Sequence, residues 1–244
     1  MLRILVTAGS TEVPIDRVRA ITNIFKGRTG TEIALALADA SRETEVTLLT
    51  SNKPLAITTI PLPSNFDARS WERYTNLHVE AYRTFDELAE RLECEVTRGA
   101  YDIIIHSAAV SDYRVAAVHK RNARGELVPV TTAGKMSSQH EQLFLELAQT
   151  PKLVERMRRA WRFTGMLVQF KLEVGCTDDE LLARARTALE RSNGDLVVAN
   201  CLEWARDAAY LVERNGTSTR IPRSELARTL VDRCGAYSRT KRSR

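Results

Sequence analysis

Hydrophobic residues fall in short apolar runs that alternate with amphipathic stretches. Runs typical of buried strands occupy residues 2–6, 45–50, 77–82, 101–109, 167–171 and 195–200. Apolar residues at helical spacing occupy residues 31–40, 84–96, 151–159 and 178–191. Because strand-like and helix-like stretches alternate along the chain, the pattern predicts an α/β fold with a doubly wound, mostly parallel Rossmann-like sheet.

Local signals indicate where several of these helices begin. Thr31, Thr84 and Thr177 each stand at the start of a helical stretch, and a threonine hydroxyl there can accept a hydrogen bond from a free N–H group of the first turn. The three residues after Thr177 are all acidic, which favours a helix start because the helix dipole is positive at that end. We therefore expect all three threonines to be helix caps.

Residues 115–147 do not fit the alternation. The stretch is basic and rich in turn residues, and two strand-like pieces flank the segment GKMSS. We expect it to be a protruding flap or dimerisation arm on a single α/β domain that covers residues 1–244. Two further segments lie outside the regular pattern: a proline-rich surface excursion at residues 51–70 and a basic tail at residues 237–244 that we expect to be disordered.

The connection between the first predicted strand and the first predicted helix is unusually long. Most strand-to-helix connections take about 2–6 residues, whereas this polar stretch runs from Thr7 to Gly30 and is rich in glycine and basic residues. Free N–H groups at the start of the following helix would face the crevice where α/β proteins bind anionic ligands. This loop is therefore the first candidate for a functional site.

Composition narrows the class of protein. The 244 residues are 43% hydrophobic with no long apolar run, which predicts a soluble, cytoplasmic protein without a membrane span. The net charge of +5 suits anionic substrates, but aromatic residues make up only 6% of the chain and give little support for nucleic-acid binding. The four cysteines form no Cys-x-x-Cys pair and are expected to be reduced.

Common cofactor and metal motifs are absent from the sequence. Gly9 is too far from Gly27 and Gly30 for the Gly-x-Gly-x-x-Gly turn of dinucleotide-binding proteins, which disfavours an NAD(P)-dependent reductase. The sequence contains neither a P-loop nor a Gly-x-Ser-x-Gly nucleophile elbow. No histidine has a partner at metal-ligand spacing, and His106, within an apolar run, is expected to be a core residue.

Polar, charged and small residues cluster where the predicted strands end. Cations and an amide suit phosphate and carboxylate groups, while glycine and alanine allow a ligand to approach the backbone closely. The cluster comprises Gly9, Arg19, Asn23, Lys26, Gly27, Arg28, Gly30, Ala108, Ala109, Asp112 and Lys135. Each of these residues alone is compatible with a structural or merely solvated role. Together they predict a site for an anionic substrate.

A series of segments also carries a family resemblance. In chain order they are VTAGST, PIDRVRAITN, the pair Gly27 and Gly30, AAVSDYR, GKMSS, FKLE and DLVVAN. They resemble the stand-alone type of phosphopantothenate–cysteine ligases, also called phosphopantothenoylcysteine synthetases. The resemblance implies a ligase of coenzyme A biosynthesis that activates 4′-phosphopantothenate as an acyl-nucleotide and transfers the acyl group to L-cysteine. It also implies CTP or ATP with Mg²⁺ as co-substrate, and a homodimer.

Roles for individual residues are implied by the same resemblance. Asn23 and Lys135 would be catalytic, with Asn23 at the acyl group and Lys135 on the charged intermediate. The implied substrate-binding residues are Arg19, Ala108, Ala109 and Asp112, of which Arg19 would reach the substrate of the neighbouring subunit. The implied nucleotide-binding residues are Gly9, Gly27, Gly30, Phe170 and Asn200.

Two departures from the family pattern bear on the nucleotide. The family usually reads Asn-x-Ser-Ser-Gly after the key amide, whereas this chain has Ile24, Phe25 and Lys26. We predict that Lys26 partly replaces the missing hydroxyls as a mobile charge on the triphosphate. Lysines that CTP-using members often carry correspond here to Ala188 and Ser192, so the sequence does not decide between CTP and ATP. A nucleotide-binding protein of the same fold without ligase turnover is the alternative function.

Overall fold

The computed structural model describes residues 1–52 and 74–242. Its large sheet contains the strands β1 (Leu2–Ala8), β4 (Thr44–Thr50), β5 (Leu77–Ala81), β6 (Ile103–His106), β10 (Met166–Glu173), β11 (Leu196–Cys201), β12 (Ala208–Glu213) and β13 (Ser218–Pro222). Their order across the sheet is β13-β12-β11-β10-β6-β1-β4-β5. The pairs from β5 to β11 are parallel, whereas β12 and β13 are antiparallel additions at one edge.

Helices cover both faces of this sheet. They are α1 (Arg28–Ala40), α2 (Phe85–Arg98), α3 (Leu153–Arg159), α4 (Asp178–Ser192) and α5 (Leu226–Arg242). Side chains of β1 alternate between the faces: Ile4 packs in the cluster that contains α1 and α5, and Leu5 packs in the cluster that contains α2 and α3. The alternation follows from the period of two in a strand. The predicted doubly wound, mostly parallel α/β fold is therefore confirmed.

Two of the three expected caps are confirmed. The Thr84 hydroxyl accepts a hydrogen bond from the Glu87 N–H at the start of α2, and Thr177 forms a capping box with Glu180 at the start of α4. The expectation for Thr31 was wrong. Helix α1 begins three residues earlier at Arg28, and the Thr31 hydroxyl donates to the Gly27 carbonyl within the helix, so it is not available as a cap.

Residues 113–149, which we call the flap, form a separate antiparallel sheet. Its strands β7 (Tyr113–Arg121), β8 (Leu127–Pro129) and β9 (Phe144–Gln149) have the order β8-β7-β9. This sheet is separate from the main sheet, and its strands extend two residues beyond the expected bounds at each end. A small hairpin of β2 (Glu12–Pro14) and β3 (Ala20–Thr22) lies within the long connection between β1 and α1 and contacts the flap through β7.

Of the basic tail at residues 237–244, which was expected to be disordered, the structure describes residues 237–242 as part of a helix. Helix α5 continues to Arg242, with Cys234 buried in the core and Lys241 in an ion pair 2.6 Å from the Asp102 carboxylate. These contacts hold the basic segment against the fold. The proline-rich excursion at residues 51–70 lies almost entirely outside the described residues. Among the helices of residues 1–52 and 74–242, none has the length and apolarity to span a bilayer.

Candidate functional site

A cleft of about 1450 Å³ opens at the carboxyl ends of β1, β6, β10 and β11. This is the edge at which α/β sheets bind ligands, because helix starts and strand ends converge there. Eleven of the candidate residues line the cleft, and they are Gly9, Asn23, Lys26, Gly27, Arg28, Gly30, Ala108, Ala109, Asp112, Phe170 and Asn200. The structure therefore brings together segments that are far apart in the chain. Arg19 and Lys135 are not among the lining residues.

The start of α1 lies directly against the end of β1. Gly9 and Gly27 have φ values of 91° and 85°, and a Cβ atom on Gly27 would lie 2.4 Å from the Gly9 backbone nitrogen. A Cβ on Gly30 would lie 2.4 Å from the Ser107 hydroxyl. Only glycine permits this close approach. As a result, the first turn of α1 borders the cleft, with no side-chain cap and no acidic residue in that turn, which favours an anion.

Asn23 joins the opening loop to the loop after β6. Its Nδ2 donates a 3.1 Å hydrogen bond to the Ala109 carbonyl. The Ala109 N–H in turn donates to the Gly9 carbonyl at 2.7 Å. An asparagine amide has two N–H donors and an acceptor oxygen, so the Asn23 side chain keeps hydrogen-bonding capacity for a ligand while this contact fixes its position.

His106 supports this loop from inside the core. Its Nδ1 lies 2.9 Å from the Thr7 hydroxyl, which also accepts a 3.1 Å hydrogen bond from the Ala108 N–H. Burial lowers the pKa of His106 to about 4, because desolvation disfavours the charged imidazole. His106 is therefore neutral near pH 7, and its expected role as a core residue is confirmed.

Asp112 has a partner that the sequence pattern did not indicate. The Lys152 ammonium lies 2.5 Å from its carboxylate, and both residues line the cleft. Both side chains are about half exposed, so the pair contributes at most about 1 kcal/mol to stability. Lys152 precedes α3 and is forty residues beyond Asp112, and only the folded chain places the two together.

The ends of β10 and β11 form another wall of the cleft. Phe170 pairs in register with Val198, and Leu172 pairs with Asn200. Gln169 is buried and donates a 2.7 Å hydrogen bond to the Ser192 hydroxyl at the end of α4. The junction between β13 and α5 contributes a further wall that the sequence pattern did not indicate, and its lining residues are Arg223, Ser224 and Ala227.

Positive charge predominates in the cleft. The described basic residues that line it are Lys26, Arg28, Lys152, Lys171, Arg191, Arg206 and Arg223, and the described acidic ones are Glu32, Asp112 and Glu155. Within residues 1–52 and 74–242, Lys26, Arg28 and Arg206 have no ion-pair partner. This excess of cations fits a ligand with several negative charges. No group of three or more described His, Cys, Asp or Glu residues is arranged to hold a metal ion.

Arg19 and Lys135 lie close to one another in the chain fold, at the junction between the hairpin and the flap. The Arg19 guanidinium donates to the Met136 carbonyl at 3.3 Å, and the Asp16 carboxylate accepts the Met136 N–H at 3.1 Å. Asp16 also accepts the N–H groups of Val18 and Arg19. These hydrogen bonds hold the pKa of Asp16 below its usual value, the Val18 N–H having the largest effect.

All four cysteines are free thiols, as expected. Cys176 and Cys201, however, are neighbours in the fold, with their sulfur atoms 3.6 Å apart. Burial and the neighbouring Cys201 raise the pKa of the Cys176 thiol. Neither cysteine is among the residues that line the cleft.

Comparison with known proteins gives a consistent result. Residues 1–237 match the family model described as the DNA/pantothenate metabolism flavoprotein C-terminal domain. The chain is 34% identical over 235 residues to the coenzyme A biosynthesis bifunctional protein CoaBC of Thermococcus kodakarensis, which covers 94% of this chain and 50% of that protein. The chain thus spans about half the length of the curated relatives it matches.

Solved structures share the fold. The DNA/pantothenate metabolism flavoprotein from Streptococcus pneumoniae is 28% identical, with a TM-score of 0.75 over 97% of this chain and 100% of that one. A Cab2 variant in complex with phosphopantothenate-cysteine is 20% identical, with a TM-score of 0.69 over 98% of this chain and 89% of that one. At that identity the second similarity concerns the fold alone.

Proposed function

The chain belongs to the family of DNA/pantothenate metabolism flavoprotein C-terminal domains, and from this premise we propose that it is a ligase that joins 4′-phosphopantothenate to L-cysteine in coenzyme A biosynthesis. One observation carries the proposal: a single cleft combines an uncapped helix start, small residues, an amide and an excess of cations. Such a cleft suits two anionic substrates held side by side. The relatives named for coenzyme A biosynthesis support the choice of pathway.

The chemistry requires activation of a carboxylate, which is a poor electrophile. In the first step, a carboxylate oxygen of phosphopantothenate attacks the α-phosphorus of a nucleoside triphosphate, and pyrophosphate leaves. In the second, the cysteine amine attacks the acyl carbon, the nucleoside monophosphate leaves, and the nitrogen loses a proton. The protein must hold two anions together and stabilise the charge that develops at each reacting centre.

The nucleotide would occupy the half of the cleft at the start of α1. Gly9, Gly27 and Gly30 let a phosphate approach the N–H groups of the first helical turn. Lys26, exposed and without an ion-pair partner among the described residues, would add a mobile positive charge. Phe170 and Asn200, at the ends of β10 and β11, would border the nucleoside.

Phosphopantothenate would occupy the half formed by the loop after β6. Ala108 and Ala109 leave room beside the backbone, and Asn23 would orient the acyl carbonyl from its anchored position on Ala109. Asp112 would hydrogen-bond polar groups of the substrate. The neighbouring Lys152 ammonium offsets the negative charge of Asp112, so the carboxylate repels an anionic substrate less than a lone acid would.

Arg19 and Lys135 would act across a homodimer interface. Both lie at the hairpin–flap junction, outside the cleft of their own chain. The hairpin and the flap carry exposed apolar side chains, including Val18 at 61%, Leu127 at 51% and Leu147 at 48% exposure. A second copy of the chain would cover them and bring a flap to each cleft.

The co-substrate in this proposal is CTP or ATP with Mg²⁺, and the reaction takes place in the cytoplasm. Ala188 and Ser192 line the cleft at the positions where CTP-using members often carry lysines, so the choice between the two nucleotides stays open. Since the described residues supply no cluster of three metal ligands, we expect Mg²⁺ to be coordinated mainly by the phosphates of the nucleotide. Such an ion needs few protein ligands of its own.

A second candidate function is nucleotide binding without ligase turnover. Phe25 and Lys26 favour it, because they stand where the family carries hydroxyls. Phe25 places an apolar side chain, 39% exposed, in the cleft. Loss of those hydroxyls would weaken control of the phosphate geometry on which turnover depends.

The two candidates are separated by measuring pyrophosphate release in the presence of CTP or ATP and Mg²⁺, with and without phosphopantothenate and cysteine. The ligase releases pyrophosphate only with phosphopantothenate and forms an amide product detectable by mass spectrometry. Asn23→Ala should slow product formation about 10²–10³-fold, whereas Asn215→Ala, in an exposed turn outside the cleft, should not slow it. Nucleotide binding without product formation would contradict the ligase assignment.

A further inference from the structure

The junction between β13 and α5 lies beside the start of α1. Arg223, Ser224 and Ala227 line the same cleft as Gly27 and Gly30. None of the segments that carry the family resemblance includes this junction, since the last of them ends at Asn200. The wall of the cleft therefore contains a basic residue to which the sequence pattern assigned no role.

The Arg223 side chain is held over the first turn of α1. Its Nη2 donates to the Thr29 hydroxyl at 2.7 Å and lies 3.3 Å from the Glu32 carboxylate. The Arg223 backbone N–H donates to the Asp207 carbonyl at 2.8 Å, which fixes the base of the side chain. The side chain is only 20% exposed. Its position is thus defined from both ends.

Hydrogen-bonding capacity remains on this guanidinium. Arginine has five N–H donors, and both contacts made by Arg223 involve the same nitrogen, Nη2. Within residues 1–52 and 74–242, no acceptor lies in hydrogen-bond contact with its Nε or Nη1. A planar guanidinium with free donors matches the oxygens of a phosphate, which it can contact with two parallel hydrogen bonds.

We propose that Arg223 binds the triphosphate of the nucleotide at the start of α1, as a fixed cation that complements the mobile Lys26. The inference rests on the proposed function for the identity of the ligand. Arg223 differs from Lys26 in geometry: its guanidinium is anchored by Thr29, whereas Lys26 has no ion-pair partner in the described chain. Fixed and mobile charges together compensate for the hydroxyls replaced by Phe25 and Lys26.

A purely structural role makes a different prediction. Helices α1 and α5 already pack through apolar residues, among them Ile33, Leu37, Leu226 and Leu230. If Arg223 only tied these helices together, its loss would lower the melting temperature and affect the binding of every ligand alike. A phosphate-binding residue instead affects ligands in proportion to the phosphates that it contacts.

The test is calorimetric titration of the full chain with inorganic tripolyphosphate at fixed ionic strength, for the parent and the variants Arg223→Gln and Arg223→Lys. We expect Arg223→Gln to weaken tripolyphosphate binding about tenfold or more, since a hydrogen bond to a charged group is worth about 1.5–3 kcal/mol. The affinity of Arg223→Lys for tripolyphosphate should lie between those of the parent and Arg223→Gln, because lysine keeps the charge but lacks the planar guanidinium. Phosphopantothenate affinity should change little.

Arg220→Gln is the matched control. Arg220 lies on β13, stacks on Trp204 at 5.2 Å and is not a lining residue of the cleft, so its loss should leave tripolyphosphate affinity unchanged. If Arg223→Gln fails to fold, Thr29→Val removes only the hydroxyl anchor and should still weaken tripolyphosphate binding several-fold.

Three results would overturn the inference: no binding of tripolyphosphate by the parent, equal affinities of the parent and a folded Arg223→Gln, or an equal loss for tripolyphosphate and phosphopantothenate. These outcomes are distinct from failure of the proposed function, because binding is measured without turnover. A chain that binds tripolyphosphate through Arg223 but forms no amide contradicts the ligase assignment alone.

Discussion

The cleft and the flap differ in what fixes their functional residues. The cleft lies at the ends of strands whose apolar residues are buried, such as Ile105 and Val198 at 0% exposure. The flap is a small separate sheet with exposed apolar residues, such as Leu127 and Leu147. Cleft residues therefore keep their relative positions within one chain, whereas flap residues depend on how the flap sits against a cleft.

This difference explains where the candidate residues lie. Those at strand ends line one cleft, while Arg19 and Lys135 lie at the junction between the hairpin and the flap, where Asp16 and Arg19 contact Met136. The roles that we propose for the first group require only a single chain. A role for Arg19 and Lys135 requires a neighbouring subunit or a movement of the flap. Experiments can test this requirement directly.

The largest expected effect is on turnover in Asn23→Ala and Lys135→Ala. Each change removes a group that we propose to act where charge develops, and such a loss typically costs about 10²–10³ in rate, roughly 2.7–4 kcal/mol. Steady-state amide formation measures the effect, with Asn215→Ala and Lys241→Ala as matched controls outside the cleft. If Lys135→Ala forms the amide as fast as Lys241→Ala does, Lys135 takes no part in the reaction. The contrast drawn between cleft and flap would then have no bearing on catalysis.

The next largest effect is expected in mixed dimers, which test whether Arg19 acts on the site of the neighbouring subunit. Arg19→Ala and Asn23→Ala subunits should each be inactive alone, but a mixed dimer would contain one intact site. After random exchange of equal amounts, we expect roughly a quarter of the parent activity. Light scattering should show a dimer at the assay concentration. A monomer, or no recovery in confirmed mixed dimers, would contradict the shared site.

A smaller effect is expected for the mobile charge in the cleft. Lys26→Ala should raise the KM for the nucleotide by about tenfold, since it removes one charge-assisted contact to phosphate. The KM for phosphopantothenate should change much less. Lys241→Ala is the control for loss of a lysine elsewhere. Equal increases for both substrates would show that Lys26 is not a nucleotide-specific contact.

The smallest effect concerns the junction of hairpin and flap. The pKa of Asp16 is lowered by the backbone N–H groups that it accepts. The ionised Asp16 carboxylate therefore contributes its full stabilisation of the folded state at a pH above its pKa in the unfolded chain, which is about 3.9. That contribution is lost as the pH falls through the lower pKa of the folded state. We expect Asp16→Asn to increase hydrogen exchange around Met136 at neutral pH, with little change in the global melting temperature.

The parent should show the same increase only in acid, after correction for intrinsic exchange rates. A parent whose flap exchanges equally at neutral and acidic pH would indicate that the Asp16 hydrogen bonds do not hold the junction.

Much of the fold was predictable because its signals are local. Continuous apolar runs predicted β1, β6 and β11, and the threonine caps at Thr84 and Thr177 predicted the starts of α2 and α4. The helix through residues 237–242 had no local signal that we recognised, and its contacts are with distant residues: Lys241 pairs with Asp102, which is 139 residues away in the chain. The expected cap at Thr31 failed because Gly27 adopts the left-handed conformation that starts α1.

In the candidate site, too, only residues with local sequence signals could be predicted. Residues at strand ends could be predicted, since the carboxyl edge of a parallel sheet collects them. Lys152 and Arg223 could not be predicted, because they reach the cleft from the residue before α3 and from the β13–α5 junction, where they contact Asp112 and Thr29. Such pairings depend on how helices pack and leave no periodic signal in the sequence.

The central claim is that the cleft and the flap together activate and transfer an acyl group, and a single-turnover quench with α-labelled nucleotide tests it most directly. Asn23→Ala should release about one pyrophosphate per site and accumulate labelled acyl-nucleotide, because its amide serves the later transfer to cysteine. Lys135→Ala should release almost none, because its charge serves formation of the intermediate. A pyrophosphate burst in Lys135→Ala but not in Asn23→Ala would reverse these roles, and parent-like turnover in both variants would contradict the placement of the site.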